Sequence, residues 1–456
     1  MRRLPALAAA LFLALAAPAP SARAQTDEAA LENALALLSP AAERRLAALA
    51  WIRARGKPDM AAALIQMQRF WRNDPVLDAL LSDITGAAGK RGWRDWMLWQ
   101  EGHPEIAPFA GFDTFKAVVL QQIDPNFSAF LGPGTAHEIR LEEIVWGGVA
   151  KDGIPALTNP TLIDPDDADY LNADELVFGV RIGADARAYP LRIMDWHEMF
   201  NDVIGGVPVS LAYCTLCGSG ILFETAIEGR PGDLGEPFVF GSSGLLYRSN
   251  KLMYDRQTLS LWNQFTGRPV VGPLTGSGLE LKTRPVAITS WAAWRAANPD
   301  TRVLSLDTGY RRDYRPGAPY GDYFASPDLM FPTRVDESQL SAKDYVFALR
   351  SSGAEKAWPL ARFEGGAVVN DRAGVIDLVL VGEAATRSVR AYRSGGRIFE
   401  KGDTPATLVS GGESWQVTEE ALLGPNGESL ARLPGHVAYW FAWSGYLGAE
   451  GEVGLE

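Results

Sequence analysis

The chain has 456 residues, of which 47% are hydrophobic and 21% are charged, and its formal net charge is −12. This composition is typical of a globular protein of two or three domains and excludes a disordered or fibrous chain. The negative charge argues against binding to nucleic acid or to anionic lipid surfaces. Two cysteines in the whole chain exclude a disulfide-rich scaffold and any metal site built from four cysteines.

Residues 1–24 have the pattern of a secretory signal peptide. Two arginines precede an apolar run over residues 4–17, and Ala22 and Ala24 are the small residues that a signal peptidase recognises. The run is too short to span a bilayer, which takes about 20 residues. No later segment is apolar enough to span a membrane either. We therefore expect cleavage after Ala24 and a periplasmic or secreted protein in an oxidising compartment.

Residues 25–130 have the periodicity of short amphipathic helices separated by turns, which predicts a small helical module. The predicted helices lie within residues 31–38, 46–56, 60–71 and 75–84. Trp93, Trp96 and Trp99 follow at i, i+3 and i+6, and this spacing predicts a buried helix face.

Residues 138–445 alternate short β-rich segments with turn residues, which predicts a mostly-β domain with a few packed helices. The predicted strands are 176–182, 207–213, 221–224, 238–240, 303–306, 345–349, 375–381 and 388–392. The predicted helices are 192–203 and 290–297. Residues 307–333 carry four tyrosines among turn residues and predict a long loop, either functional or a surface crossover. The expected fold class is therefore α+β, with the helical module first.

Cys214 and Cys217 form a Cys-x-x-Cys motif between two predicted strands, and three interpretations stay open. A thioredoxin-like redox pair needs a depressed thiol pKa, which a helix N-terminus usually provides, but glycines and a strand follow here. A structural pair is favoured by an oxidising compartment, and a disulfide there is the simplest form of it. A metal site would use the two thiolates together with further ligands.

His197 is the best candidate for a third metal ligand, because it lies shortly before the cysteines in the predicted helix 192–203. Two thiolates and an imidazole leave one position open, as in catalytic zinc sites, and the soft sulfur ligands also suit copper. Glu198 would then act as a catalytic base or as the partner of His197. His436 could supply a fourth ligand from the C-terminal part, although a packing role is the alternative.

A series of short segments, in a fixed order, resembles the family known as domain of unknown function 3179. These segments are Asp152–Leu157, Ala188–Leu191, Trp196–Glu198, Asn201–Asp202, Cys214–Cys217, Gly244–Tyr247, Tyr254–Thr258, Leu261–Trp262 and Ser305–Gly309. The resemblance covers about Glu138 to Trp443 and implies an exported bacterial protein, but no activity. Family members often have proline where this chain has Thr215, and proline would fix the shape of that turn.

The sequence thus predicts an exported protein of unknown activity that is metal-binding or redox-linked through Cys214, Cys217 and His197. Zinc or copper is the expected metal. The alternative is a non-enzymatic protein with a structural Cys214–Cys217 disulfide, which binds a small molecule or an envelope partner. Its candidate ligand-binding residues are Asp255, Arg256, Trp262 and Tyr310. Whether the protein is an enzyme is left open.

Overall fold

The computed structural model describes residues 27–227, 236–351, 354–447 and 452–453. The predicted signal peptide lies outside the described residues. The described chain begins with helices and continues into a large, mostly-β part, which confirms the predicted α+β class.

The helical part contains α1 (Asp27–Ala36), α2 (Ala42–Arg55), α3 (Ala61–Phe70), α4 (Pro75–Thr85), α5 (Gly92–Glu101) and α6 (Phe112–Ile123). The first four correspond to the predicted helices, whereas α6 was not predicted. Local sequence explains their ends: the Asp74 carboxylate accepts the Val76 amide at the start of α4. Gly86 ends α4 with a φ of 72°, in a left-handed conformation that glycine adopts without strain. Trp96 and Trp99 are buried on α5, as their spacing predicted, whereas Trp93 is only partly buried.

The first half of the β part contains α7 (Leu191–His197), α8 (Trp291–Ala297) and fifteen strands. The strands are β1 (Ile144–Trp146), β2 (Leu157–Thr158), β3 (Leu162–Ile163), β4 (Leu176–Ile182), β5 (Asp185–Pro190), β6 (Met199–Ile204), β7 (Val207–Cys214), β8 (Ser219–Glu224), β9 (Phe240–Tyr247), β10 (Asn250–Asp255), β11 (Leu261–Asn263), β12 (Arg268–Val271), β13 (Thr283–Arg284), β14 (Ala287–Ser290) and β15 (Arg302–Leu304). Three five-stranded sheets result, in the orders β1-β9-β10-β11-β12, β13-β8-β7-β6-β2 and β14-β4-β5-β15-β3.

The second half contains α9 (Gly321–Ala325), α10 (Trp440–Leu447) and the remaining strands. These are β16 (Tyr345–Ser351), β17 (Ala354–Pro359), β18 (Ala367–Ala373), β19 (Ile376–Glu383), β20 (Ser388–Arg393), β21 (Glu400–Lys401), β22 (Thr407–Ser410), β23 (Glu413–Val417), β24 (Ala421–Leu423), β25 (Ser429–Leu433), β26 (His436–Tyr439) and β27 (Glu452–Val453). They form a four-stranded sheet, β26-β16-β17-β27, and an eight-stranded sheet, β18-β19-β20-β25-β24-β23-β22-β21.

The helical part packs directly on the sheet β1-β9-β10-β11-β12, which we call the helix-facing sheet. One continuous apolar core joins the two, with Leu64, Trp96 and Phe115 from the helices and Leu252 and Leu261 from the strands. All of these side chains are removed from water, which is the main driving force for such packing. Within the described ranges, no helix combines the length and the apolar character needed to cross a bilayer.

The predicted helix 192–203 is wrong in its second half. α7 ends at His197, and the following residues form β6, which pairs antiparallel with β7 from Met199 opposite Ala212 onwards. The break occurs at Glu198, whose φ is 55°. His197 is therefore the last residue of α7, and the predicted helix does not continue beyond it.

Candidate functional site

The site is built around the end of α7, where Glu198 reverses the direction of the chain. Glu198 has a φ of 55°, and its backbone N–H donates to the carbonyl of Met194 to close the last turn of the helix. A left-handed conformation costs a residue with a side chain roughly 1–2 kcal/mol, so the surrounding contacts must hold it. The bend sends His197 and Glu198, neighbours in sequence, to different bonding partners.

His197 is held through both ring nitrogens. Nδ1 lies 2.8 Å from the Pro155 carbonyl oxygen, and Nε2 lies 2.6 Å from the Tyr314 hydroxyl. Because a carbonyl only accepts, Nδ1 carries the proton, and Nε2 of the neutral ring accepts the Tyr314 O–H. The Tyr314 oxygen then accepts from the Thr308 hydroxyl at 2.6 Å. Burial lowers the pKa of His197, and the charge of Arg312 acts in the same direction, which favours the neutral ring.

An aromatic and cationic surface lies beside the buried His197 ring and is formed by Trp196, Tyr310, Arg311 and Arg312; we call it the outer patch. The Tyr310 ring lies 5.3 Å from the His197 ring, and 44% of the Tyr310 surface is exposed. The Arg312 guanidinium lies 5.6 Å from the centre of the Trp196 ring. Tyr310, predicted as ligand-binding, is therefore accessible.

The two arginines of the outer patch keep their charges free of carboxylates. The nearest acid that follows in sequence, Asp313, pairs instead with Arg315. Within the described ranges, neither Arg311 nor Arg312 takes part in an ion pair. A free pair of guanidinium groups beside exposed aromatic rings is able to bind an anion.

Cys214 and Cys217 are joined in a disulfide. Cys214 ends β7, a single 3-10 turn follows over Thr215–Cys217, and Gly218 returns the chain to β8 with a φ of 60°. Only 3% of Cys214 and none of Cys217 is exposed. A side chain at Gly218 would come within 2.9 Å of Tyr345, so the turn is tightly covered. The strand predicted after the cysteines is present.

Glu198, Thr215, Lys251 and Tyr320 form a buried polar group beside the disulfide turn, which we call the inner cluster. Lys251 Nζ forms an ion pair with one Glu198 oxygen, and only 4% of the Lys251 side chain and 10% of the Glu198 side chain are exposed. The other oxygen accepts the Thr215 hydroxyl at 2.9 Å and the Tyr320 hydroxyl at 3.4 Å. A proline at this position has no hydroxyl and could not make the bond of Thr215.

The partners of Glu198 in the inner cluster differ from the predicted partner, His197. Both of its carboxylate oxygens are engaged by Lys251, Thr215 and Tyr320, and both nitrogens of His197 are engaged elsewhere. In this structure Glu198 therefore supports the disulfide turn through its hydrogen bond with Thr215, and His197 is not its partner.

Asp195 is a site residue that sequence reasoning missed. The Tyr213 hydroxyl donates to its Oδ1 at 3.1 Å. Burial raises the pKa of Asp195 to about 7, the Glu198 charge adds to the rise, and Arg387 opposes it. Asp195 lies two residues before His197. Its hydrogen bond with Tyr213 of β7 follows from the bend at Glu198, which the sequence pattern did not indicate.

The predicted metal ligands do not form a metal site in this structure. The cysteine sulfurs are bonded to each other, which removes the thiolates that zinc or copper would need, and His197 has no free nitrogen. Across the described part of the chain, no group of three or more His, Cys, Asp or Glu side chains is placed to hold an ion. His436 is buried against the rings of Phe265 and Trp443, so the packing alternative fits it better than the role of fourth ligand.

Three of the predicted ligand-binding residues have internal partners. Asp255 and Trp262 are both fully buried, and the Trp262 Nε1 donates to the Asp255 carboxylate at 2.8 Å. Arg256 pairs with Asp152 at 3.0 Å. Asp255 and Trp262 thus join β10 to β11 and offer no surface to a ligand.

A family model described as Protein of unknown function (DUF3179) matches residues 151–449. The match includes the outer patch, the disulfide and the inner cluster, whereas the six N-terminal helices precede it. No curated protein and no solved structure matches the chain.

Proposed function

Because the chain belongs to the family of proteins of unknown function DUF3179, which carries no assigned activity, we propose its function from the geometry of the site. We propose that it is a non-enzymatic binding protein of the cell envelope, in which the disulfide is structural and the outer patch contacts the ligand. The observation that carries this proposal is the closed and buried disulfide, tied by Thr215 to the Glu198–Lys251 ion pair.

The burial of the cysteines argues for a structural role over a redox one. A disulfide exchanges only when a thiolate attacks one of its sulfurs, and exchange therefore requires access. Here Tyr323 donates to the carbonyl of Leu216 inside the turn at 2.8 Å, and Tyr345 covers Gly218. The proposed location outside the cytoplasm, which rests on the sequence of residues 1–24, would keep such a disulfide oxidised.

The outer patch favours an anionic ligand that also presents flat or ring-shaped groups. Arg311 and Arg312 offer charge without a carboxylate partner, and the exposed ring of Tyr310 offers a face for stacking. A carboxylated polysaccharide combines both features, because its sugar rings stack on aromatic faces and its acids pair with arginine. We therefore propose this ligand class.

We expect the double variant Cys214→Ser/Cys217→Ser to lose about 2 kcal/mol of unfolding free energy, which is the value that loop-closure entropy gives for so short a bridge. Urea unfolding measures this change. In an assay of insulin reduction by dithiothreitol, neither the wild-type protein nor the double variant should accelerate the reduction beyond the rate with dithiothreitol alone. Catalysis by the wild-type protein that the double variant lacks would contradict a structural role for the pair.

We expect the protein to bind polygalacturonate, a carboxylated polysaccharide, and not the neutral polymer dextran. The double variant Arg311→Ala/Arg312→Ala should bind polygalacturonate at least tenfold more weakly, as expected from the loss of charge-assisted hydrogen bonds. Isothermal titration at low and physiological salt measures both affinities.

The matched control for this experiment is Arg44→Ala, an exposed arginine on α2 that should leave the affinity unchanged. Both variants should keep the melting temperature of the wild type, since the three side chains lie at the surface. Equal binding of dextran, or an equal loss of affinity in the control, would contradict the proposed ligand and its location.

A further inference from the structure

A concave apolar cup lies at one end of the helical part, far in sequence from the family region. Its volume is about 700 Å³, and its wall is formed by the turn between α1 and α2, by α2, and by adjoining ends of α3, α4 and α6. Small-molecule sites typically have volumes of ~300–1,000 Å³ and mainly apolar walls. The cup therefore has the size and the character of a ligand site.

The wall is apolar both inside and at the rim. Leu49, Met67 and Phe70 line the interior. At the rim, Leu46 is 64% exposed and Val76 is 51% exposed, which places two large apolar side chains in water. Covering them would remove apolar surface from solvent, at about 25 cal/mol for each Å² buried.

One cation stands on this apolar wall. Arg45 donates through Nη1 to the carbonyls of Ser39 and Pro40, both at 2.8 Å, and its guanidinium lies 5.9 Å from the centre of the Trp71 ring. Over the described ranges, Arg45 forms no ion pair with a carboxylate, and its Nε and Nη2 remain available. The acid of the wall, Asp74, is engaged in capping α4. The cup is therefore mostly apolar and carries two charged side chains. The Asp74 carboxylate accepts the Val76 amide, and the Arg45 guanidinium has no carboxylate partner among the described residues.

We propose that this cup binds a long-chain fatty acid, with the hydrocarbon chain against Leu49, Met67 and Phe70 and the carboxylate on Arg45. The apolar wall accounts for the chain, and the positive group with no acidic partner accounts for the head group. The concave shape and limited volume fit a single small amphiphile better than the broad, flat contact of a protein partner. This site is separate from the outer patch and does not depend on the proposed function.

The test uses the protein purified from the periplasm of an expressing bacterium, with the fluorescent fatty acid cis-parinaric acid as probe and palmitate as competitor. We expect saturable fluorescence enhancement that palmitate reverses. Leu46→Glu adds a negative charge at the exposed rim and should weaken binding at least tenfold. Leu423→Glu, the same change at an exposed leucine of β24, is the control and should bind like the wild type.

Arg45→Gln separates the head group from the chain. It should weaken palmitate about tenfold while leaving the affinity of the uncharged methyl palmitate unchanged, because only the acid uses the charge. Thermal melting of each variant shows whether it is folded, and Val76→Glu, at a second exposed apolar residue of the cup, replaces Leu46→Glu if that variant melts early. Absence of saturable binding to the wild type, equal effects of Leu46→Glu and Leu423→Glu, or equal losses for acid and ester would each overturn the proposal.

Discussion

The variant Lys251→Met is expected to lose about 3–5 kcal/mol of unfolding free energy, because it leaves the Glu198 carboxylate buried without its counter-ion. Glu198 and Lys251 are almost completely buried, and theirs is the only ion pair of the inner cluster among the described residues. Glu198→Gln should cost a similar amount by stranding the ammonium group. Urea unfolding, followed by tryptophan fluorescence, measures both changes.

The double variant Glu198→Gln/Lys251→Met separates the charge from the packing. It removes both charges, so it should recover much of the stability lost by either single variant. The matched control is Arg53→Ala, which breaks a surface pair with Asp83 in which both side chains are more than half exposed. Such pairs contribute ~0–1 kcal/mol. Additive losses in the double variant, or an equal loss in the control, would show that the inner pair is not a coupled buried unit.

The variant Asp195→Asn is expected to be more stable than the wild type at pH 8 and to match it near pH 4. Burial raises the pKa of Asp195 to about 7 from an ordinary value of 3.8. Below pH 4 the carboxyl is protonated in the folded and the unfolded chain, and the full stability is present. As the pH rises towards 7, the unfolded chain releases this proton first, so the folded state loses up to roughly 4 kcal/mol.

Asparagine stays neutral at every pH and can still accept the Tyr213 hydroxyl, so it should remove this part of the pH dependence. Unfolding free energies at pH 5, 6, 7 and 8 give the slope. Glu101 is the internal reference, because burial also raises its pKa to about 7 and it lies on α5, outside the site. Glu101→Gln should remove a separate contribution that adds to that of Asp195→Asn. A variant Asp195→Asn that is less stable at pH 8 than at pH 5 by the wild-type amount would refute the assignment.

The sequence allowed good predictions where local pattern decides the structure. Strands β4 and β20 begin at the predicted residues, and α4 begins at Pro75, where the predicted helix 75–84 begins. Short strands and capped helices carry such local signals in composition and turn residues. The order of the helical and β parts follows from the same signals.

The bend at Glu198 could not be predicted, because nothing in the local pattern marks it. Met199, Phe200 and Asn201 are all buried, so β6 has no alternation of buried and exposed residues that would separate it from a helix. The pairing of β6 with β7 begins at Met199, and the helix therefore ends at His197. His197 was proposed as a ligand because it lies shortly before the cysteines in sequence, whereas its hydrogen-bond partners are Pro155 and Tyr314.

The contacts of His197 and of the inner cluster could not be predicted from the sequence either, because they join residues far apart in the chain. Tyr314 meets His197 across 117 positions of the chain, and Lys251 meets Glu198 across 53. The motif Cys214–Cys217 was recognised and its structural alternative was stated, but the choice required the burial of the two sulfurs. Buried pairs such as Asp255 and Trp262 were mistaken for surface groups because polar and aromatic residues near turns are often exposed.

The continuous core between the helices and the helix-facing sheet bears on how a shortened protein would behave. A fragment starting near residue 151 would leave Leu252, Leu261 and their neighbours facing water along one flank of the sheet. We expect such a fragment to self-associate or precipitate, because a large exposed apolar surface favours association between copies of the same chain. By the same logic, a relative that lacks the six helices should carry hydrophilic substitutions at these positions, which makes them a signature of the helical attachment across the family.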